Sequence, residues 1–151
     1  MGRFLAQCVS LLKFKATEKN QSLELSAFKV VVDVNKEKIW RLFSNLIYNA
    51  IKFSPYGSQI EIGMEREDEA IVFFLRDYGI GIPAELQDKI FDIFTEAKRF
   101  GTLGEHPVGL GLAISKQIVQ AHKGDIWFES MAGEGTTFYV KLPLKKRLAE
   151  V

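Results

Sequence analysis

The chain has 151 residues, which is enough for one domain with a substantial buried core. Hydrophobic residues make up 47% and the formal net charge is +1, so we expect a globular protein with no general attraction to nucleic acid or acidic membranes. No apolar run approaches the ~20 residues of a membrane-spanning helix. The single cysteine, Cys8, excludes an intrachain disulfide, and the polar N-terminus is unlike a signal peptide; both favour a cytoplasmic location.

The N-terminal part is predicted to form a short helix and two short strands. Residues 3–13 have helical apolar spacing, with no capping residue before them, as at the end of a longer helix. The apolar side of this helix is predicted to consist of Phe4, Leu5, Cys8, Leu11 and Leu12. Residues 23–25 and 29–32 are predicted to be strands, and Asp33 or Asn35 can cap the helix that follows.

The second helix, which ends at Ser54-Pro55, has an apolar face and a separate polar stripe. Asn45, Asn49 and Lys52 recur at helical spacing beside the apolar arc, although asparagine is a poor helix former. A solvated helix face would explain this stripe. A polar row that faces a cleft and holds a metal and phosphates would explain it too. The apolar arc is predicted to consist of Ile39, Leu42, Phe43, Leu46, Ile47 and Ala50.

Strands and helices then alternate irregularly, and the chain ends in a hairpin. Residues 59–65 alternate as a half-buried strand does, and residues 70–76 have the continuous apolar run of a central strand. Helices are predicted at 84–93 and 109–122, separated by a glycine-containing loop at 95–108 of the kind that covers a site. Residues 125–130 and 136–142 form the final hairpin. We therefore expect one mixed sheet with helices packed on one face.

Two glycine-containing turns carry candidate chemistry. Asp77 follows the central strand and precedes Gly79 and Gly81, which suits an acceptor for the amine of a base, with Ile80 and Ile82 as flat apolar contacts. A tight turn with a capping aspartate would explain the same residues. Gly109-Leu110-Gly111-Leu112 opens a helix whose unpaired N–H groups could meet an anion, although a flexible helix boundary explains it equally.

Five motifs occur in a fixed order: NxxxNAxKFxP from Asn45, DxGxGIP from Asp77, FxxF from Phe91, GLGL from Gly109 and GxGTxF from Gly133. In this ordered set, from about residue 23 to 143, the chain resembles the ATP-binding catalytic domain of sensor histidine kinases, within the superfamily of gyrase-type ATPases. The resemblance implies an α+β two-layer sandwich (Bergerat-type ATP-binding fold). Its mixed, mostly antiparallel sheet has about five strands, with three helices on one face.

The resemblance also divides the chain and assigns residue roles. Residues 1–20 would be the end of a preceding helix or linker, 21–144 the ATP-binding domain, and 145–151 a charged tail. Asn49 and Asn45 would hold Mg²⁺, and a catalytic group would handle the phosphates: Asn45, Lys52 and Lys116. A further set would shape the adenine pocket: Asp77, Gly79, Gly81, Ile82 and Thr136. The remaining residues would belong to the lid: Phe91, Phe94, Gly109, Leu110 and Gly111.

The function implied is binding of Mg-ATP and donation of the γ-phosphate to a histidine on a separate dimerisation and histidine-phosphotransfer domain of the parent protein. A response regulator receiver domain would be an indirect partner. The isolated domain would be a monomer that contacts neither nucleic acid nor a membrane directly. The parent protein could be membrane-anchored. Asn45 stands where hydrolysing relatives carry a glutamate, and asparagine cannot act as a general base. His106 and His122 are predicted to be structural or solvated.

Two alternatives remain open. Pro107 in the lid removes an N–H group and stiffens the approach to GLGL, which would suit a nucleotide-dependent binding module without phosphotransfer. A related serine-directed protein kinase is the other alternative.

Overall fold

The computed structural model describes residues 2–28, 30, 32, 34–82, 87, 110–131 and 133–144. Its helices are α1 (Gly2–Glu18), α2 (Lys36–Phe53) and α3 (Leu110–Ala121). Its strands are β1 (Ser22–Ser26), β2 (Gln59–Glu67), β3 (Ala70–Asp77), β4 (Asp125–Met131) and β5 (Gly135–Pro143).

The strands form one 5-stranded sheet in the order β1-β2-β3-β5-β4. Strand β1 is parallel to β2, and the other neighbouring pairs are antiparallel. Strand β3 lies at the centre, as its continuous apolar sequence predicts. The expected α+β architecture, a mixed and mostly antiparallel sheet with helices on one face, is confirmed.

The core lies between the sheet and the helices. Helix α2 contributes its whole predicted apolar arc, and Ile39 and Leu42 are both 0% exposed. Alternate residues of β3, such as Ile71, Phe73 and Leu75, point into the same core, since side chains of a strand face opposite sides in turn. The rings of Phe43 and Phe73 meet there with centroids 5.0 Å apart, which joins α2 to the central strand.

Helix α2 has the local signals that its sequence predicts. Asn35 is the N-cap, and its side chain accepts from the backbone N–H of Lys38 at 3.1 Å. Asp33 lies outside the described residues. The helix ends at Phe53, directly before Ser54-Pro55, because proline cannot continue it.

Two predictions in the N-terminal region are wrong. Helix α1 runs to Glu18 rather than to residue 13, and Leu11, expected in its apolar face, is 59% exposed. Leu5 is buried and Leu12 packs against the core, both as predicted, and Val9 and Ala16 complete the face that packs on α2. The side chains of Phe4 and Cys8 lie outside the described part of the structure. The predicted strand at 29–32 is also wrong where the structure describes it, since Val30 and Val32 belong to no strand and instead pack, partly buried, against the core.

The later predictions mostly hold. The hairpin of β4 and β5 and helix α3 lie within one residue of the predicted bounds. The predicted helix at 84–93 lies outside the described residues except for Gln87, which is helical, and the predicted loop at 95–108 lies outside them altogether.

Candidate functional site

The C-terminal end of α2 is held by side chains from the segment between α1 and β1. The ammonium of Lys19, which is only 4% exposed, donates to the carbonyl oxygens of Ile51 at 3.0 Å and Lys52 at 3.1 Å. The amide of Gln21 donates to the carbonyl of Ser54 at 2.9 Å. The last carbonyls of a helix have no partner within it and carry partial negative charge, so a buried cation and an amide donor stabilise this end.

The polar stripe of α2 is not a freely solvated face. Asn45 and Asn49 are half-buried, and Lys52 is 4% exposed. The side-chain nitrogen of Asn49 is buried and has no hydrogen-bond partner in the part of the chain that the structure describes. The ammonium of Lys52 lies 4.9 Å from the ring centroid of Tyr48, beside a cavity of about 230 Å³ that Lys15 also lines.

Asp77 ends the central strand with a buried carboxylate that is 5% exposed. Its Oδ1 atom accepts from the backbone N–H of Gly79 at 3.0 Å and from that of Thr136 at 3.2 Å. Thr136 lies directly opposite Asp77 in the register of β3 and β5. The carboxylate is therefore fixed by two backbone donors from different parts of the chain, which a capping aspartate in an isolated turn would not require.

The turn after Asp77 packs directly against the last residue of α2. A Cβ atom added at Gly79 would overlap the carbonyl oxygen of Phe53, so only glycine fits at this approach. The N–H of Ile80 donates to the same carbonyl at 3.3 Å. Gly81 has a φ of 70°, a left-handed conformation that favours glycine. The asparagine helix and the Asp77 turn, predicted separately from sequence, thus contact each other.

Ser130 is a site residue that the sequence analysis missed. Its hydroxyl accepts from the N–H of Ile82 at 2.8 Å, donates to the carbonyl of Gly135 at 3.1 Å, and lies 2.8 Å from the hydroxyl of Thr136. The predicted hairpin held the necessary signal, because Ser130 lies opposite Thr136 in its register. Gln87 adds a second tie by donating to the carbonyl of Ile82 at 3.0 Å.

Helix α3 packs against α2 and begins at Leu110, with Gly111 in its first turn. Lys116 is exposed on α3. Phe91, Phe94 and Gly109, predicted in the lid, lie outside the described residues, as do Pro107 and His106.

His122 joins α3 to α2. Its Nε2 atom accepts from the backbone N–H of Asn35 at 3.0 Å, and its Nδ1–H donates to the carbonyl of Ile118 at 2.8 Å. The imidazole therefore links the C-terminus of α3 to the N-cap of α2, which confirms its predicted structural role.

The chain matches one known protein family over most of its length. Residues 34–146 match the family model described as histidine kinase-, DNA gyrase B-, and HSP90-like ATPase. The chain belongs to this family of ATPases. The match includes all the site residues described above except Lys15, Lys19 and Gln21, which lie before it.

Among curated members of this ATPase family, the chain is 41% identical over 117 residues to the sensor histidine kinase WalK of Bacillus subtilis, covering 76% of this chain and 19% of that protein. It is 48% identical over 115 residues to cyanobacterial phytochrome A of Nostoc sp., covering 75% of this chain and 15% of that protein. The chain thus spans less than a fifth of the length of these relatives.

Solved structures of this ATPase family agree with the fold. The catalytic domain of histidine kinase ThkA, in a nucleotide-free form, superposes with a TM-score of 0.82 and 26% identity, covering 95% of this chain and 92% of that one. The mycobacterial sensor histidine kinase MprB gives a TM-score of 0.82 at 22% identity, covering 96% and 95% of the two chains. Within the family, the resemblance is therefore to histidine kinase catalytic domains. None of the helices that the structure describes is both long and apolar enough to cross a bilayer.

Proposed function

We propose that this chain is the ATP-binding catalytic domain of a sensor histidine kinase, which binds Mg-ATP and donates the γ-phosphate to a histidine on a separate domain. The observation that carries the proposal is the contact between the Asp77 turn and the end of α2, at Gly79 and Phe53. This contact joins the turn that follows a buried carboxylate to the end of the helix that carries two half-buried asparagines, Asn45 and Asn49.

The Asp77 carboxylate suits recognition of the adenine amine. It is buried, and two backbone donors hold Oδ1, so its orientation is set before any ligand arrives. Its neighbour Thr136 is also buried, and Ser130 ties the Thr136 hydroxyl to Ile82 in the wall of the turn. A buried carboxylate favours a ligand that carries a matching donor, because a charge-assisted hydrogen bond would add to the two that already hold Oδ1.

The asparagines of α2 fit a magnesium ion that is shared with phosphates. Mg²⁺ prefers oxygen and often takes only one or two protein ligands beside phosphate oxygens and water. Asn49 presents a buried amide nitrogen that has no partner among the described residues, and its amide oxygen is the atom that would bind a metal. Across that same part of the chain, no group of three or more His, Cys, Asp or Glu side chains is suited to a metal. A metal at Asn49 and Asn45 would therefore depend on the nucleotide for its negative ligands.

The residues of α2 would position the phosphates of ATP and neutralise their charge, and would not perform acid–base chemistry. Bound Mg-ATP supplies the transferable phosphoryl group and most of the charge neutralisation. Asn45 can donate and accept hydrogen bonds but cannot take a proton from water, so the site should retain ATP for an acceptor instead of hydrolysing it rapidly. Lys52 and Lys116 would add positive charge near the phosphates, with Gly109 and Gly111 of the GLGL motif allowing close backbone approach.

We infer the phospho-acceptor and the location of the domain from the longer proteins that it resembles. The chain covers only a small share of each sensor kinase that it matches, so we assign the phospho-accepting histidine to a dimerisation domain elsewhere in the parent protein. A receiver domain would take the phosphate afterwards. We place the domain in the cytoplasm, as part of a longer protein that could itself be anchored in a membrane.

Calorimetric titration with ADP and with a non-hydrolysable ATP analogue, each with and without Mg²⁺, tests nucleotide binding. We expect Asn49→Asp to alter mainly the gain in affinity that Mg²⁺ provides, while Asp77→Asn lowers affinity for adenine nucleotides under both conditions. Equal effects of the two variants under both conditions would refute the residue roles, and an absence of nucleotide binding would refute the function. Transfer is tested by mixing the domain with a histidine-bearing hairpin and γ-labelled ATP; label that stays off the hairpin favours a binding module instead.

A further inference from the structure

A row of aromatic side chains crosses the sheet on the face opposite the helices. Phe74 lies opposite Tyr139 in the register of β3 and β5, and Tyr139 lies opposite Trp127 in the register of β5 and β4. The residues on either side of each one in sequence, such as Phe73, Val140 and Ile126, belong to the core that the helices cover. We call the side that carries Phe74, Tyr139 and Trp127 the aromatic face.

Two rings of the aromatic face are stacked, and the third covers the neighbouring strand. The Trp127 and Tyr139 rings are stacked, with centroids 5.3 Å apart and an angle of 12° between their planes. The Phe74 ring lies over Gly63 of β2, where an added Cβ would overlap it. All three aromatic side chains are half-buried and so keep part of their surface exposed, while helices α1, α2 and α3 pack on the opposite side of the sheet.

Acidic side chains dominate the surroundings of the aromatic face. By the strand register, they lie on the same face of the sheet as the aromatic residues: Glu24, Glu61, Glu65, Glu67, Asp125 and Glu129. The basic side chains at matching positions are Arg76 and Lys141. Lys141 is paired with Glu67 at 3.1 Å, and the guanidinium of Arg76 lies over the ring of Tyr78, 5.0 Å from its centroid. The near-neutral net charge of the chain therefore conceals a negative sheet face.

One carboxylate lies directly beside the stacked rings. Burial raises the pKa of the Tyr139 hydroxyl above its ordinary value, and the charge of Glu129 raises it further, while the charge of Arg76 acts in the opposite direction. Glu129 is itself exposed on β4, two residues from Trp127. The stacked rings and an exposed carboxylate therefore lie on the same side of the sheet.

We propose that the aromatic face is a docking site for a basic protein segment that binds through arginine side chains. A guanidinium group is planar, stacks on aromatic rings, and offers a fork of donors to a carboxylate in the same plane, which an ammonium group cannot do. An acidic segment or an anionic lipid surface would be repelled by the carboxylates. A second copy of this face would bring the same charges together. A purely apolar partner would desolvate the carboxylates without pairing them.

This docking site is separate from the nucleotide site and does not depend on the proposed function. We would test it by amide NMR titration with a short peptide of alternating arginine and leucine, and with matched peptides in which lysine or glutamate replaces arginine. The arginine peptide should shift signals of β3, β4 and β5 and bind roughly 5- to 30-fold more tightly than the lysine peptide, corresponding to stacking of about 1–2 kcal/mol. The glutamate peptide should not bind.

Two variants and a control make the test specific. Trp127→Ala should weaken arginine-peptide binding at least about ten-fold, as truncation of an interface aromatic does. Glu129→Gln, which keeps the shape of the side chain and serves if Trp127→Ala folds poorly, should weaken it several-fold. Tyr56→Ala removes an aromatic side chain that is 62% exposed away from this face and should change nothing.

Failure of the arginine peptide to bind would overturn the proposal. Equal binding of the arginine and lysine peptides, or an equal loss in the Tyr56 variant, would also overturn it. Nucleotide affinity should stay unchanged in the Trp127 and Glu129 variants, so that failure of docking and failure of ATP binding are distinguishable.

Discussion

Replacement of Asp77 by asparagine isolates the contribution of one negative charge to nucleotide recognition. Oδ1 of Asp77 accepts hydrogen bonds from the N–H groups of Gly79 at 3.0 Å and Thr136 at 3.2 Å. The amide oxygen of asparagine can accept the same two bonds, so the turn should retain its conformation. The charge is lost, and an NH₂ group replaces the second carboxylate oxygen. An adenine amine would then meet a donor in place of an acceptor.

The expected magnitude follows from the kind of bond removed. A hydrogen bond to a charged group contributes about 1.5–3 kcal/mol, so affinity for ADP should fall roughly 10- to 150-fold. The free energy of unfolding should fall by only about 1 kcal/mol, because both backbone donors keep a neutral acceptor. The same exchange at Asp68, which is exposed in the turn between β2 and β3 with a φ of 53°, is the matched control and should leave ADP affinity unchanged.

Isothermal titration calorimetry with ADP gives the affinities, and urea unfolding gives the stabilities. ADP binding at wild-type affinity by a folded Asp77→Asn variant would refute the adenine role of this carboxylate. A loss of affinity matched by a loss of several kcal/mol of stability would show instead that Asp77 acts by holding the turn.

The remaining predictions concern how the two halves of the site are held together. Gly79→Ala should cost about 2–3 kcal/mol of stability and lower nucleotide affinity, because its Cβ would push the turn away from α2, whereas Gly133→Ala, at a φ of 83° in open space, should cost about 1 kcal/mol and leave affinity intact. Urea unfolding and ADP titration of both variants check this, and similar results for the pair would contradict it. Lys19→Met keeps the apolar stem but removes two hydrogen bonds to the end of α2, so the midpoint of urea unfolding should fall by the equivalent of about 1–3 kcal/mol; an unchanged midpoint would show that this buried ammonium is not a helix cap.

Helices α2 and α3 carry the residues predicted to contact phosphate, and His122 joins the C-terminus of α3 to the N-terminus of α2. His122 uses both ring nitrogens, one toward Ile118 in its own helix and one toward Asn35 at the start of α2. Helix α2 is thus held at its N-terminus by α3 and at its C-terminus by Lys19 and Gln21. This double attachment keeps the asparagine stripe in a constant relation to the sheet, which a site that positions phosphates requires.

Sequence patterns were sufficient for features whose cause is local. The apolar arc of α2 follows from helical spacing, its ends from Asn35 and Pro55, and the hairpin of β4 and β5 from alternation on either side of a glycine turn. The order of the motifs was sufficient for the family. Local spacing was only partly sufficient for α1. It identified Leu5, but Leu11 is exposed while Val9 and Ala16 are buried, because packing on α2 selects the face.

Contacts between distant parts of the chain were decided by the tertiary structure alone. Lys19 is 32 residues from the carbonyl of Ile51, and Thr136 is 59 residues from Asp77, so no local period reports either contact. The aromatic face depends on β5 lying between β3 and β4, a strand order that differs from the sequence order. Side-chain periodicity states which residues share a face of one element, but which elements become neighbours depends on how their apolar faces are buried together, and that is settled only when the whole chain folds.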